Sequence, residues 1–224
     1  MRLSLLIPIL LLLVACGRES SESSILPDRP LAGKALPLIE DNVAHDTLLI
    51  HETVDLQDGT FIMSARNVDE TFEGLRLFHY RIGQDDQAEI ISYSTPAYDS
   101  WMMRPNFFPN PAGGYLILAE YGYIDSWGQK AFLFDERGFQ DIGFMEAAYL
   151  PNDVERDAAS TNLGVKSIAP FVDVAFSQNG PVISFNSESI FLYDDGQGHL
   201  DTLYEAAMVS YSMQEGKLDL IIEQ

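Results

Sequence analysis

The chain has 224 residues, and its 34 Asp and Glu against 13 Lys and Arg give a formal net charge of −21. This excess of acid excludes the usual nucleic-acid-binding protein, which brings basic side chains to a polyanion. Hydrophobic residues make up 46% of the chain and charged residues 21%, as in proteins that bury a core. The single cysteine excludes a disulfide framework and a CxxC zinc site. The four scattered histidines likewise predict no metal site, and we expect no cofactor.

The first 16 residues, MRLSLLIPILLLLVAC, have the pattern of a secretory signal. Arg2 supplies the positive start, and an apolar run over 3–14 follows it. This run is shorter than the roughly 20 residues that a membrane-spanning helix needs. We therefore expect a signal peptide rather than a permanent transmembrane anchor.

The end of this segment, Leu13-Val14-Ala15-Cys16, resembles the lipobox of bacterial lipoprotein precursors. The resemblance covers the first 16 residues alone. It implies that residues 1–15 are removed and that Cys16 carries acyl chains such as palmitate, which hold the protein at a membrane of the cell envelope. Gly17 replaces the Asp that retains such proteins in the inner membrane of some bacteria, so we expect the periplasmic face of the outer membrane in a Gram-negative organism. The alternative is an ordinary signal peptide with a chance cysteine.

Residues 16–45 are predicted to form a flexible tether behind the lipidated cysteine. The segment 17–24, GRESSESS, has no apolar side chain, and 25–45 contains three prolines. The folded part is then predicted to be a single domain over 46–224.

From residue 47 onward, short runs of β-branched and aromatic residues alternate with turn clusters of Gly, Asn, Asp or Pro. No window longer than about ten residues holds a helical period, although 152–160 is predicted to form one or two helical turns. The patterns predict an all-β, mostly antiparallel domain. The predicted strands are 47–54, 60–66, 75–82, 89–95, 115–123, 130–135, 181–186, 189–194 and 218–223.

An internal repeat pairs a glycine-led strand with a second strand rich in aromatic residues. The glycine-led strands are 59–65, 114–120 and 180–186, and the second strands are 75–83, 131–138 and 190–198. One such unit cannot bury both of its faces, so we expect about three units to stack as antiparallel meanders, propeller-like or sandwich-like. Two arrangements remain open: a fourth unit that joins 47–54 to 218–223, or an open twisted sandwich.

The segment 98–111, YDSWMMRPNFFPNP, combines three prolines with large apolar side chains. Proline excludes a central strand, so this segment is predicted to be a long loop. The tripeptide Asp-Ser-Trp occurs in it and again at 125–127. Aromatic rings beside carboxylates suit sugar or peptide binding, because the ring supplies a flat apolar face and the acid accepts hydrogen bonds. The candidate ligand-binding residues are Tyr98, Asp99, Trp101, Asp125 and Trp127.

The alternative for these aromatic residues is structural: Trp101, Phe107 and Phe108 would close the end of the β core beneath the loop. Acidic turn residues at 55, 58, 85–86 and 194–195 lack the alternating spacing of calcium loops and are predicted to be solvated. No Gly-x-Ser-x-Gly elbow is present, and no catalytic residue is predicted.

Two functions remain open. The first is a noncatalytic binding module, anchored in the cell envelope by lipid, whose partner is a basic protein or a glycan. Residues 167–224 carry nine acids and one basic residue, which favours a basic partner and repels anionic lipids. The alternative is an envelope glycan hydrolase with two carboxylates about 5 to 9 Å apart, one of them against apolar walls.

Overall fold

The computed structural model describes residues 33–39, 45–69, 74–98, 100–122, 127–150 and 166–223. The predicted signal peptide, Cys16, Asp99, Asp125 and the predicted helical turns at 152–160 therefore lie outside the described residues. Within the described ranges the chain forms 15 β-strands and three single-turn 3-10 helices, Gln84–Asp86, Ala169–Phe171 and Ala206–Met208.

In chain order the strands are β1 (Leu48–Asp55), β2 (Phe61–Asn67), β3 (Arg76–Ile82), β4 (Ala88–Tyr93), β5 (Met102–Pro109), β6 (Tyr115–Gly122), β7 (Trp127–Asp135), β8 (Gly138–Met145), β9 (Ala147–Ala148), β10 (Val172–Ser177), β11 (Gly180–Phe185), β12 (Ser189–Asp194), β13 (Leu200–Glu205), β14 (Val209–Gln214) and β15 (Lys217–Ile222). Sheet 1 has the order β1-β2-β3-β4 and sheet 2 the order β5-β6-β7-β8. Sheet 3 has the order β10-β11-β14-β15, and the small sheet 4 has the order β13-β12-β9.

All pairings between these strands are antiparallel, which confirms the predicted all-β meander fold. Each of the nine predicted strands overlaps a strand of the structure, because the alternation of apolar and polar residues is a local property of the chain.

Sheet 2 is the middle layer of the stack. On its central strand β6, the residues Leu116, Ile117, Leu118 and Ala119 are all fully buried. Ile117 and Ala119 belong to the core shared with sheet 1, and Leu116 and Leu118 to the core shared with sheet 3. Successive side chains of a strand point to opposite faces, so a strand covered on both sides needs an unbroken apolar run. The stack is therefore sandwich-like, with one sheet buried between two others.

The third sequence repeat departs from the first two. The glycine-led strands β2, β6 and β11 are each the second strand of their sheet, and β3 and β7 pair beside β2 and β6 as the repeat predicts. Beside β11, however, lies β14, whose Tyr211 pairs with Ile183, while β12 joins β9 and β13 in sheet 4. The hairpin β12–β13 is thus inserted between two neighbours of sheet 3.

The alternative of a fourth unit that joins 47–54 to 218–223 is wrong. Among the described strands, β1 pairs with β2 and β15 pairs with β14, and no pairing joins β1 to β15. The described sheets form an open stack.

The prediction of a long loop over 98–111 is also wrong, because Met102–Pro109 form β5 and pair with β6 over their full length. This strand is the edge of sheet 2, where Pro105 and Pro109 need not donate an N–H group to an inner neighbour. Phe107 and Phe108 are buried in the two different cores on either side of the sheet. Proline therefore excluded a central position for this strand but not the strand itself.

Residues 33–39 lie along the edges of sheets 1 and 2. The Lys34 N–H donates to the Phe107 carbonyl of β5 at 2.7 Å, and the Ile39 N–H donates to the Thr53 carbonyl of β1 at 3.0 Å. Leu36 packs against the core between the two sheets. The hydrogen-bonded body thus begins ahead of the predicted boundary at residue 46, within the segment 16–45 predicted as a tether.

One carboxylate connects the three large sheets. Asp141 of β8 accepts a hydrogen bond from the Thr95 hydroxyl, which follows β4, and pairs with Lys130 of β7 at 3.0 Å and with Lys217 of β15 at 3.2 Å. Burial by itself raises the pKa of Asp141, but the Thr95 hydroxyl and the two ammonium groups outweigh burial and hold the pKa below its usual value. The ionised carboxylate therefore stabilises the stack.

We expect Asp141→Asn to lower the free energy of unfolding at pH 7 by about 2 to 3 kcal/mol, because it leaves the largely buried Lys130 ammonium without its counter-charge. Since the pKa of Asp141 is lowered in the folded state, its ionised carboxylate contributes to the free energy of unfolding above about pH 4. This contribution is lost as the pH falls further. Urea unfolding at pH 7 and pH 3 measures both effects.

The matched control is Asp135→Asn, which weakens the pair with Arg137, a side chain that is 83% exposed. We expect that change to leave the free energy of unfolding nearly unchanged, because exposed ion pairs contribute little to stability. Equal losses for the two variants would contradict the role given to Asp141.

Candidate functional site

Two of the predicted ligand-binding residues lie on the connection from sheet 1 to sheet 2. Tyr98 is 56% exposed and Trp101 is 55% exposed, and the exposed Met102 follows them at the start of β5. We call Tyr98, Trp101 and Met102 the aromatic surface. Large apolar side chains exposed side by side in the sequence, on a folded domain, are typical of contact sites for other molecules.

Hydrogen bonds hold the backbone of the aromatic surface against the end of β6. The buried Ser100 hydroxyl accepts hydrogen bonds from the N–H groups of Met102 at 3.3 Å and Gly122 at 3.2 Å. The Trp101 N–H donates to the Gly122 carbonyl at 3.2 Å, and the Tyr121 hydroxyl donates to the Tyr98 carbonyl at 2.9 Å. The serine of the Asp-Ser-Trp tripeptide thus fixes the chain on either side of Trp101, which lowers the entropy cost of binding.

Trp127 lies at the same end of sheet 2 as the aromatic surface but has a different environment. Gly122 pairs with Met102 on one side and with Trp127 on the other, so β5, β6 and β7 all reach this end. The Trp127 ring stacks on Phe191 of sheet 4 at 5.3 Å between centroids and meets Tyr193 edge-on at 5.9 Å. Trp127 therefore packs one sheet on another, whereas Trp101 is half-exposed. Asp99 and Asp125, the acids of the two tripeptides, lie outside the described residues.

Glu146, which sequence reasoning missed, lies near Trp127 between β8 and β9. Its carbonyl accepts a hydrogen bond from the Tyr193 N–H at 2.9 Å. Burial raises the pKa of Glu146, and the negative charge of Asp194 raises it further. Its Oε2 atom is buried and has no hydrogen-bond partner among the described residues. The available signal was one acid within the apolar run 142–150.

The prediction that the acidic turn pairs are solvated is wrong for Asp195, whose side chain is 0% exposed. Its Oδ2 atom accepts a hydrogen bond from the Tyr204 hydroxyl at 2.6 Å and lies 2.8 Å from His199 Nδ1. The hydrogen bond from the Tyr204 hydroxyl lowers the pKa of Asp195 most, and burial opposes it by raising the pKa. Hydrogen bonds from His199 and two backbone N–H groups lower the pKa further, so that it lies far below its usual range. This carboxylate organises the β12–β13 turn.

Three other turn acids also have local roles. Asp55, Asp58 and Asp194 accept hydrogen bonds from backbone N–H groups two residues further on, at Gln57, Thr60 and Gly196. In the described part of the chain, no group of three or more His, Cys, Asp or Glu side chains could hold a metal ion. None of the described helices is long and apolar enough to cross a membrane.

Comparisons of the chain with protein-family models, with curated proteins and with solved structures give no match.

We expect Glu146→Gln to raise the stability of the protein at pH 7. The raised pKa means that the fold disfavours the ionised form, whereas an unfolded glutamate ionises freely above about pH 4.3. Wild type should therefore lose stability relative to the variant as the pH rises from about 4 to 7, as measured by urea unfolding.

Glu188→Gln makes the same Glu-to-Gln exchange at an exposed position and is the matched control. A Glu146→Gln variant that is less stable than wild type at pH 7 would show that the carboxylate is paired in solution.

Proposed function

We propose that this protein is a noncatalytic binding module of the cell envelope, anchored by lipid at Cys16, whose aromatic surface contacts a basic protein or a glycan. The observation that carries the proposal is the half-exposure of both Trp101 and Tyr98, on a backbone held by Ser100. Tryptophan and tyrosine are the residues that most often dominate binding energy, and a fixed backbone lets them bind without being ordered first.

Charge supports a basic partner in particular. The chain carries a net charge of −21, and one basic residue accompanies nine acids over 167–224. A field of this sign raises the association rate of a cationic surface and repels anionic lipid headgroups. In a Gram-negative organism the protein would lie on the outer membrane and face the periplasm.

We expect Cys16→Ala to release the protein from the membrane, because acyl chains on this cysteine would supply the anchoring free energy of about 0.8 kcal/mol per buried CH₂. Cell fractionation should find the variant in the soluble or precursor pool. Recovery of the processed variant in the membrane at the wild-type level would contradict the lipid anchor.

We expect Trp101→Ala and Tyr98→Ala each to weaken partner binding by about 1 kcal/mol or more, with little change in the urea midpoint. Cross-linked capture from detergent-solubilised envelope, followed by titration of the captured partner, measures the effect. Leu200→Ala removes an equally exposed apolar side chain elsewhere and should bind normally. Trp127→Ala should instead lower stability by about 2 to 4 kcal/mol, because its ring packs on Phe191.

A partner that binds wild type and Trp101→Ala equally would contradict the role of the aromatic surface. So would a large stability loss for Trp101→Ala, since that outcome is typical of a core residue.

A second candidate function, glycan hydrolysis, is favoured by one observation. Burial and then the negative charge of Asp194 raise the pKa of Glu146, and a raised pKa is what a general acid needs. The Glu146 carbonyl accepts a hydrogen bond from the N–H of Tyr193, whose ring meets that of Trp127. Release of dye from labelled peptidoglycan by wild type, and its loss in Glu146→Gln, would support this function over the noncatalytic one.

A further inference from the structure

A cleft of about 730 Å³ lies at the opposite end of sheet 2 from the aromatic surface. One wall is the β5–β6 turn with Asn110 and Ala112, and the other is the β10–β11 turn over 177–181. The lining between them includes Leu133, Phe176 and Met213, which come from β7, β10 and β14. Its volume is within the range of ordinary ligand sites, about 300 to 1,000 Å³.

Both walls are held by hydrogen bonds within their own turns. On the β5–β6 side, Asn110 Oδ1 accepts from the Ala112 N–H at 3.0 Å, and the Asn110 carbonyl accepts from the Gly113 N–H at 2.9 Å. On the β10–β11 side, the Ser177 hydroxyl accepts from the Asn179 N–H at 3.2 Å and donates to the Gly180 carbonyl at 3.0 Å. The cleft is thus shaped before a ligand arrives.

The chemistry of the lining is unusual for this chain. None of the described residues that line the cleft is charged, although the protein carries 34 acids. The polar side chains of the lining include Asn110 and Ser177, whose Oδ1 atom and hydroxyl group are engaged within their own turns. They also include the carboxamides of Gln178 and Asn179, two exposed residues whose side chains form no hydrogen bond within the described part of the chain. A carboxamide offers both a donor and an acceptor, which is the complement of a peptide group.

We propose that this cleft binds an extended, uncharged peptide segment of another protein. One aliphatic side chain of the segment packs against Leu133, Phe176 and Met213, and its peptide groups pair with Gln178 and Asn179. An anionic ligand would find no cation among the described residues of the lining, and a hydrocarbon chain that covered the carboxamides would displace their water without pairing them. A sugar ring favours an exposed aromatic face, whereas Phe176, the one aromatic residue in the described part of the lining, is buried.

The test is selection of a display library of seven-residue peptides on the full chain in detergent. We expect enriched peptides to hold an aliphatic residue between uncharged polar residues. Ala112→Phe, which fills the cleft from an exposed turn position, should weaken their binding about tenfold or more, and Gln178→Ala or Asn179→Ala about three- to fivefold. Ala207→Phe enlarges an exposed alanine away from the cleft and should leave binding unchanged.

The proposal is overturned if no peptide is enriched, if the enriched peptides are charged, or if they bind Ala112→Phe as tightly as wild type. Chitotriose that binds wild type and not Ala112→Phe would overturn the choice of a peptide. The carboxamide variants keep the test valid if Ala112→Phe fails to fold, as judged by circular dichroism. Trp101→Ala should bind the selected peptides normally. A failure of the proposed peptide cleft can therefore be distinguished from a failure of the proposed partner binding at the aromatic surface.

Discussion

Burial of sheet 2 on both faces is the constraint from which the rest of the arrangement follows. Each fully buried large side chain of β6 contributes about 1.5 to 3 kcal/mol of transfer free energy, which is realised when sheets 1 and 3 cover the two faces. The flanking sheets leave the two ends of sheet 2 accessible, where its turns and connections emerge. Both surfaces to which we assign binding lie there: the aromatic surface at the start of β5, and the cleft beside the β5–β6 turn.

Three acids of this highly negative chain show that hydrogen-bonding and charged partners determine whether a carboxylate is ionised within the fold. Asp141 and Asp195 are ionised because hydroxyl, ammonium, imidazole or backbone N–H groups offset the cost of their desolvation. Glu146 has a buried oxygen with no partner among the described residues, and its ionised form is disfavoured. The paired acids Asp141 and Asp195 stabilise the sheets and the β12–β13 turn. The Glu146 carboxylate lowers the stability of the fold and marks a position to test for function.

Strands were predictable where the apolar pattern is local. The strands β2, β6 and β11 can be recognised in the sequence because each follows a turn glycine and is rich in apolar residues. The all-β class follows from such runs. The prolines of β5 exclude a central strand but are tolerated in an edge strand. Whether a strand lies at an edge depends on its neighbours in the sheet, which the local sequence does not show. The candidate site was predictable in part: Tyr98 and Trp101 are exposed at a strand end, but Glu146 has no local motif.

The sequence by itself determined the fold class and the approximate limits of nine strands, because strand periodicity and turn residues act within a few positions along the chain. Tertiary structure decided which sheet each strand joins, as when β14 rather than β12 takes the place beside β11. It also decided that one Asp-Ser-Trp tripeptide exposes its tryptophan while the tryptophan of the other packs on Phe191. Burial and pKa depend on residues that are distant in the chain, and contacts of that kind arise when the sheets stack.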